Sequence, residues 1–209
     1  MTQATEQLSD IKLVDIGSKF SIPEAVKFNR TSSGLLEAEL SYRNLSTAKV
    51  FIFGAHVSSW SRRGIGEALY MSPTADLSGN GPIRGGIPIV WPVFGKVDGF
   101  DLHGFARTQN WEVRETGKRS DGATFIKLGL ATTPENAQAS WPHDFDLQYQ
   151  ITLSESLECR LTVTNLGLDD FKIQAAFHNY FRANNPITKV VGLENSDFYD
   201  LKTKEEAKS

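Results

Sequence analysis

At 209 residues, 40% hydrophobic and 22% charged, the chain is long enough to bury one sizeable core and has the composition of an ordinary globular domain. A net charge of -3, with "SRR" at Ser61 to Arg63 as its densest basic run, excludes nucleic acid or a lipid surface as the main partner. A single cysteine, Cys159, excludes an intrachain disulfide and fits a reducing, cytoplasmic compartment.

The N-terminal extension, residues 1–17, reads "MTQATEQLSDIKLVDIG". Its composition favours a helix, and it lacks the apolar core of a signal peptide. No later stretch is apolar enough to predict a membrane-spanning helix. From there the dominant period is two. "LLEAELSYR", "AKVFIFGAHVSSW", "WEVRE" and "ATFIKLGLAT" read as strands between clusters of Gly, Asn, Asp and Ser. "FDLQYQITL" puts Phe145, Leu147, Tyr149, Ile151 and Leu153 on one face. "LECRLTVTNLG" does the same with Leu157, Cys159, Leu161 and Val163, which makes Cys159 a small buried hydrophobe. The "SES" between these two runs predicts an antiparallel hairpin. "FKIQAAFHNYF" completes the series, with Phe171, Ile173, Ala175 and Phe177 inward and Gln174, Ala176, His178 and Tyr180 outward. The tail "KTKEEAKS", residues 202–209, is polar and helix-friendly but has no apolar face. The expected fold is all-β: one antiparallel sandwich or barrel over residues 18–201.

Four histidines differ in setting. His178 shares its face with Gln174 and Tyr180, two residues able to hydrogen-bond it; its plainer reading is a strand histidine satisfied by a backbone carbonyl. In "DLHGFARTQNWEV" an extended backbone would place His103, Phe105 and Arg107 on one face, able to grip an anionic or polyhydroxyl ligand. A turn histidine beside a surface arginine is the alternative. His143, after a proline in "WPHDFDL", suits a turn, and His56 in "GAHVSSW" receives no role. No metal spacing, phosphate loop or nucleophile elbow is present, so neither a metal nor a cofactor is expected. "GPIRGGIPIVWPVFG" sets Arg84 against two glycines and then runs uncharged to Lys96.

In order and spacing, "PIRGGIPIVWPVFG", "LHGFARTQNWEV", "WPHDFDLQYQITL" and "AAFHNYF" resemble the hexose-6-phosphate mutarotase (glucose-6-phosphate 1-epimerase) family of the aldose 1-epimerase group. The resemblance runs from about residue 18 to about residue 200. It implies a large antiparallel β-sandwich of the galactose mutarotase type, and an isomerase that interconverts hexose 6-phosphate anomers by acid–base ring opening without metal or cofactor. By the same resemblance His178 matches the catalytic acid at the ring oxygen, Arg84 the substrate-binding arginine, and His103 and Arg107 the "HGFAR" lining of the pocket. Gly85 and Gly86 would leave room for the ligand, and Arg62 or Arg63 would add charge at the rim.

The resemblance also implies a glutamate base on a late strand, yet 31 positions (209 minus 178) follow His178. Glu194 falls in a connecting segment, Glu205 and Glu206 in the polar tail, and Asp200 near a recurrent family position; none takes the base role. The expected sandwich is therefore incomplete at its C-terminal end. The sequence is either a piece of a longer chain or a short relative. The short relative would bind sugar phosphate without turnover, or pair its open sheet edges with a protein partner.

Overall fold

Strands whose side chains alternate between apolar and polar must bury one face against another layer, and in this molecule that layer is a second sheet. The computed structural model describes residues 14–134, 141–184, 187–200 and 203–208. The first sheet is an antiparallel meander of β1 (Val26–Arg30), β2 (Leu36–Tyr42), β3 (Ser46–Phe51), β4 (His56–Arg62) and β5 (Gly66–Glu67). After β6 (Ile89–Val90) comes the second sheet, in which β7 (Glu112–Lys118), β8 (Thr124–Ala131), β9 (Phe145–Leu153) and β10 (Leu157–Asn165) lie in the order β10-β9-β8-β7. Two small pairs complete the described chain: β11 (Ala176–Phe177) on β6, and β12 (Asp197–Asp200) with β13 (Glu205–Lys208).

The core is where the sheets face each other. Ala38, Leu40, Ala48 and Val50 meet Ile126, Leu128, Leu147, Tyr149 and Ile151, all of them sealed from solvent. Thr124 Oγ1 donates to the Ser41 carbonyl across the layers (2.9 Å), and Ser46 Oγ donates to Ser154 (2.5 Å). The alternation read in "FDLQYQITL" is the observed one, with Phe145, Leu147, Tyr149, Ile151 and Leu153 all buried. The hairpin into β10 is also as expected, pairing Leu153 with Leu157. No helix of the described residues is long and apolar enough to cross a membrane.

Four expectations are corrected. "AKVFIFGAHVSSW" is two strands, because Gly54 and Ala55 take positive φ and turn the chain between β3 and β4. In "FKIQAAFHNYF" only Ala176 and Phe177 are strand, since no described strand runs beside residues 171–175. Phe171 and Phe177 still pack on the core, whereas Ile173 is exposed. Residues 205–208 of the tail form β13 rather than anything helical, because β12 offers them a backbone ladder. Cys159 is half-buried on β10, the last strand of its sheet, where the apolar face packs against the core without being covered. Helix appears at residues 14–20, at the end of the N-terminal extension.

These layers predict unequal costs for similar truncations. Leu128→Ala removes a fully buried side chain between the sheets and should cost about 2–5 kcal/mol in urea unfolding. Leu157→Ala, on the half-buried face of β10, should cost about half of that or less.

Candidate active site

The uncharged run after Arg84 enters the core. Ile89, Val90 and Trp91 are completely buried, and the Trp91 indole packs on Phe105, Trp141 and Phe145 at centroid distances of 5.3, 5.6 and 4.6 Å. Its backbone is equally engaged. Trp91 N–H donates to the His103 carbonyl (3.3 Å), and the Trp91 carbonyl accepts from Phe105 N–H (3.1 Å) and Ala106 N–H (3.3 Å). This approach requires a glycine at 104, where an added methyl would lie 2.2 Å from the Trp91 carbonyl oxygen and φ is +72°. On the other edge of β6, Val90 pairs with Ala176 and Ile89 with Phe177, which brings His178 alongside.

The Arg84–Gly85–Gly86 turn is seated on protein backbone. A methyl at Gly86 (φ +59°) would lie 2.2 Å from the Val57 carbonyl oxygen and 2.7 Å from His56 Nε2. One at Gly85 would meet Met71 Cα at 2.6 Å. Both glycines are buried, so they serve the chain's own close packing rather than room for a ligand. The seat is hydrogen-bonded on three sides. Gly86 N–H donates to Tyr70 (2.8 Å), Ile87 N–H to Val57 (2.9 Å), and Tyr180 N–H to Gly86 (2.9 Å).

Arg84, His103, Arg107 and His178 line one cavity of about 190 Å³, together with Tyr180 and apolar neighbours such as Ile83. The four residues singled out in the sequence thus converge, but not by the expected route. "HGFAR" is not extended: His103 takes φ +68°, Ala106–Thr108 is a single 3-10 turn, and Phe105 points into the core. A left-handed residue followed by a helical turn aims positions 103 and 107 the same way, which a pleat would do at every second residue. Arg62 and Arg63 do not line the cavity, and neither do Glu194, Glu205, Glu206 or Asp200. Glu194 instead accepts from Gly192 N–H (3.0 Å).

His103 is clamped to Gly95 twice. Its N–H donates to the Gly95 carbonyl (2.9 Å), and its Nδ1 accepts from Gly95 N–H (3.0 Å). With Nδ1 occupied as an acceptor, the neutral ring carries its proton on Nε2 and is a donor. Loss of hydration, then the charges of Arg107 and His178, lower the His103 pKa and keep the ring neutral. Arg107 is half-buried; its Nη2 donates to the Leu102 carbonyl, and its Nε is sealed without a partner among the described residues. Burial lowers its pKa, opposed by Tyr180 and Asp101. Arg84 is more exposed, and no carboxylate of the described residues pairs with it. The cavity is lined by two guanidinium groups, two imidazoles and, among its described residues, no carboxylate. Such a lining suits an anion.

His178 is held by rings. Its imidazole meets the edge of His103 at 5.5 Å and lies nearly parallel to Tyr180 at 4.9 Å with 22° between the planes. Tyr180 is thus a stacking partner of His178, and Gln174 turns away to accept from Phe94 N–H (2.9 Å). His143 lies elsewhere, packed against Trp141 and Phe171.

His56 had no role in the sequence reading, yet it stands behind the site at 2% exposure, against Gly86 and stacked on Phe51. A bulge at Ser58, between the Lys49–Ser59 and Val50–Val57 pairs, turns it inward. The sequence signal was faint: a histidine opening an apolar strand. Burial first, and the Arg107 charge, lower its pKa from 6.5 to about 4, against an opposing pull from the Gly85 carbonyl. Between these values the unfolded chain binds the proton that the folded chain refuses. Stability is therefore complete above about pH 6.5 and falls as pH drops toward 4, by at most about 3 kcal/mol. In urea unfolding, the drop in midpoint from pH 7 to pH 4.5 should be smaller in His56→Leu than in the parent chain.

Comparison with known proteins bears on the family and the fold. The family model described as aldose 1-epimerase matches residues 38–205. The chain is 32% identical over 186 residues to a Cenchrus ciliaris protein provisionally named glucose-6-phosphate 1-epimerase, covering 84% of this chain and 56% of that one. An Escherichia coli (strain K12) protein of the same provisional name is 34% identical over 139 residues, covering 66% and 45% respectively. The fold matches a crystal structure of a provisionally assigned mutarotase from Salmonella typhimurium with TM-score 0.80 and 24% identity, covering 91% of this chain and 63% of that one. The chain spans about half the length of the curated relatives it matches. On the family match and these identities, the chain belongs to the aldose 1-epimerase family.

Proposed function

We propose that the cavity binds a hexose 6-phosphate and serves the interconversion of its α and β anomers. The observation that carries this reading is the lining itself: two guanidinium groups beside two imidazoles and, among the described residues, no carboxylate. A neutral sugar has no use for the arginines, whereas a phosphoryl group accepts parallel hydrogen bonds from each. The small volume, about 190 Å³, favours one sugar ring over an oligosaccharide.

In this reading Arg84 and Arg107 hold the phosphoryl group, and His103 donates its Nε2–H to a sugar oxygen. His178 gives a proton to the ring oxygen as the C1 hydroxyl passes its own to a base. Among the groups described here solvent water serves as that base, and it returns a proton to the C1 oxygen on closure. The C1–O bond of the ring breaks, leaving an open-chain aldehyde. Rotation about C1–C2 presents the other face of the carbonyl; the hydroxyl returns to it, and His178 takes its proton back. Histidine suits this reversible step because its ordinary pKa of about 6.5 lies near neutrality. No carboxylate among the described residues lines the cavity to take the proton of the C1 hydroxyl. That favours a second reading, in which this chain binds the sugar phosphate without turning it over.

Saturation transfer between the α and β anomeric proton signals of glucose 6-phosphate tests both. Exchange above the spontaneous rate is expected, with a loss of about 10² to 10⁴ in His178→Asn. Arg84→Ala should weaken glucose 6-phosphate about 10- to 100-fold while leaving glucose unchanged, the worth of one charge-assisted pair. Binding by a folded sample with only spontaneous exchange selects the second reading. Neither binding nor exchange sinks both.

A further inference from the structure

The orientation of His178 is unusual for a residue in such a role. An imidazole that must present one nitrogen to a reacting atom is commonly aimed by a hydrogen bond on the other nitrogen. His103 has such a bond to Gly95, but the His178 side chain has none among the described residues. Its backbone is fixed, through N–H to the Pro88 carbonyl at 3.0 Å, while its ring is left to its neighbours. A stacked ring face fixes the plane of another ring without spending either nitrogen. Tyr180 supplies one, 4.9 Å away and 22° from parallel.

Tyr180 is itself tied down. Its N–H donates to the Gly86 carbonyl (2.9 Å) and its carbonyl accepts from Tyr70 N–H (2.8 Å), which locks it between the arginine turn and residue 70. It lines the cavity two residues after His178. We propose that Tyr180 is the positioning residue of the site: its ring is the platform that sets the plane of the His178 imidazole and leaves both imidazole nitrogens free for the sugar. An offset stack of this kind costs little entropy, because a tyrosine held at its backbone has two side-chain torsions to fix. The inference rests on the proposed role of His178 as the acid at the ring oxygen.

Substitutions separate the platform from a merely structural tyrosine. Tyr180→Phe keeps the ring and should hold kcat within about threefold. Tyr180→Leu keeps apolar bulk but loses the face, and should lower kcat about 10- to 100-fold with KM little changed, since a misplacement of about 1 Å in a reacting group costs that much. Tyr180→Met stands in if the leucine variant does not fold. A second readout needs neither ligand nor turnover. In ¹H–¹³C spectra of histidine-labelled protein, the His178 ring signals, identified by their loss in His178→Asn, should be shifted upfield by the tyrosine face. That shift should persist in Tyr180→Phe and vanish in the leucine or methionine variant. An active parent chain whose Tyr180→Leu form keeps full kcat overturns the inference. If the parent chain shows only spontaneous exchange, the catalytic reading of His178 fails instead, and the ring signals decide Tyr180 alone: an unchanged His178 shift in the leucine variant overturns it.

Discussion

The site hangs on the burial of Trp91. The indole is locked among aromatic rings of the core, and the backbone on either side of it reaches three segments that are distant in sequence. Through its carbonyl it holds the turn that carries His103 and Arg107; through β6 it holds β11 and hence His178. Upstream, the same run leads back to Arg84 across the glycine seat on Val57. A hydrophobic side chain in the core thus fixes the distances among four polar ones that line the cavity. This is how sandwich folds place chemistry in irregular connections: the loops are free to vary, but their roots are in the core.

The electrostatics follow from that placement. Burial is the first cause of the lowered pKa of both His103 and Arg107; at His103 the charges of Arg107 and His178 add to it, whereas at Arg107 Tyr180 and Asp101 oppose it. His103 stays a neutral donor because its clamp to Gly95 spends Nδ1, and His56 stays neutral behind it because no water reaches it.

Much of this was legible in the residues. The β9 alternation and its hairpin into β10 could be read from the residues alone, whereas His178, Arg84, His103 and Arg107, which line one cavity, were grouped by the resemblance. What could not be read was the local path. Period-two logic made "HGFAR" a pleat, yet the positive φ of His103 comes from a contact with Gly95, eight residues earlier. Gly85 and Gly86 looked like space for a ligand because sequence does not show that β4 and residues 70–71 already fill it. His56 and the stack of Tyr180 on His178 were missed for the same reason, since burial and ring orientation are set by partners far along the chain. The strand expected over "FKIQ" failed because apolar alternation says nothing about whether a neighbouring strand is there to bond.

The seat beneath Arg84 has one more implication. Everything that fixes position 84 is main chain: the bonds from Gly86 and Ile87 and the contact of Gly85 with Met71. The guanidinium itself contributes nothing to that geometry and stands exposed at the cavity. The charge that position 84 offers the cavity is thus set apart from the main-chain scaffold that holds it there.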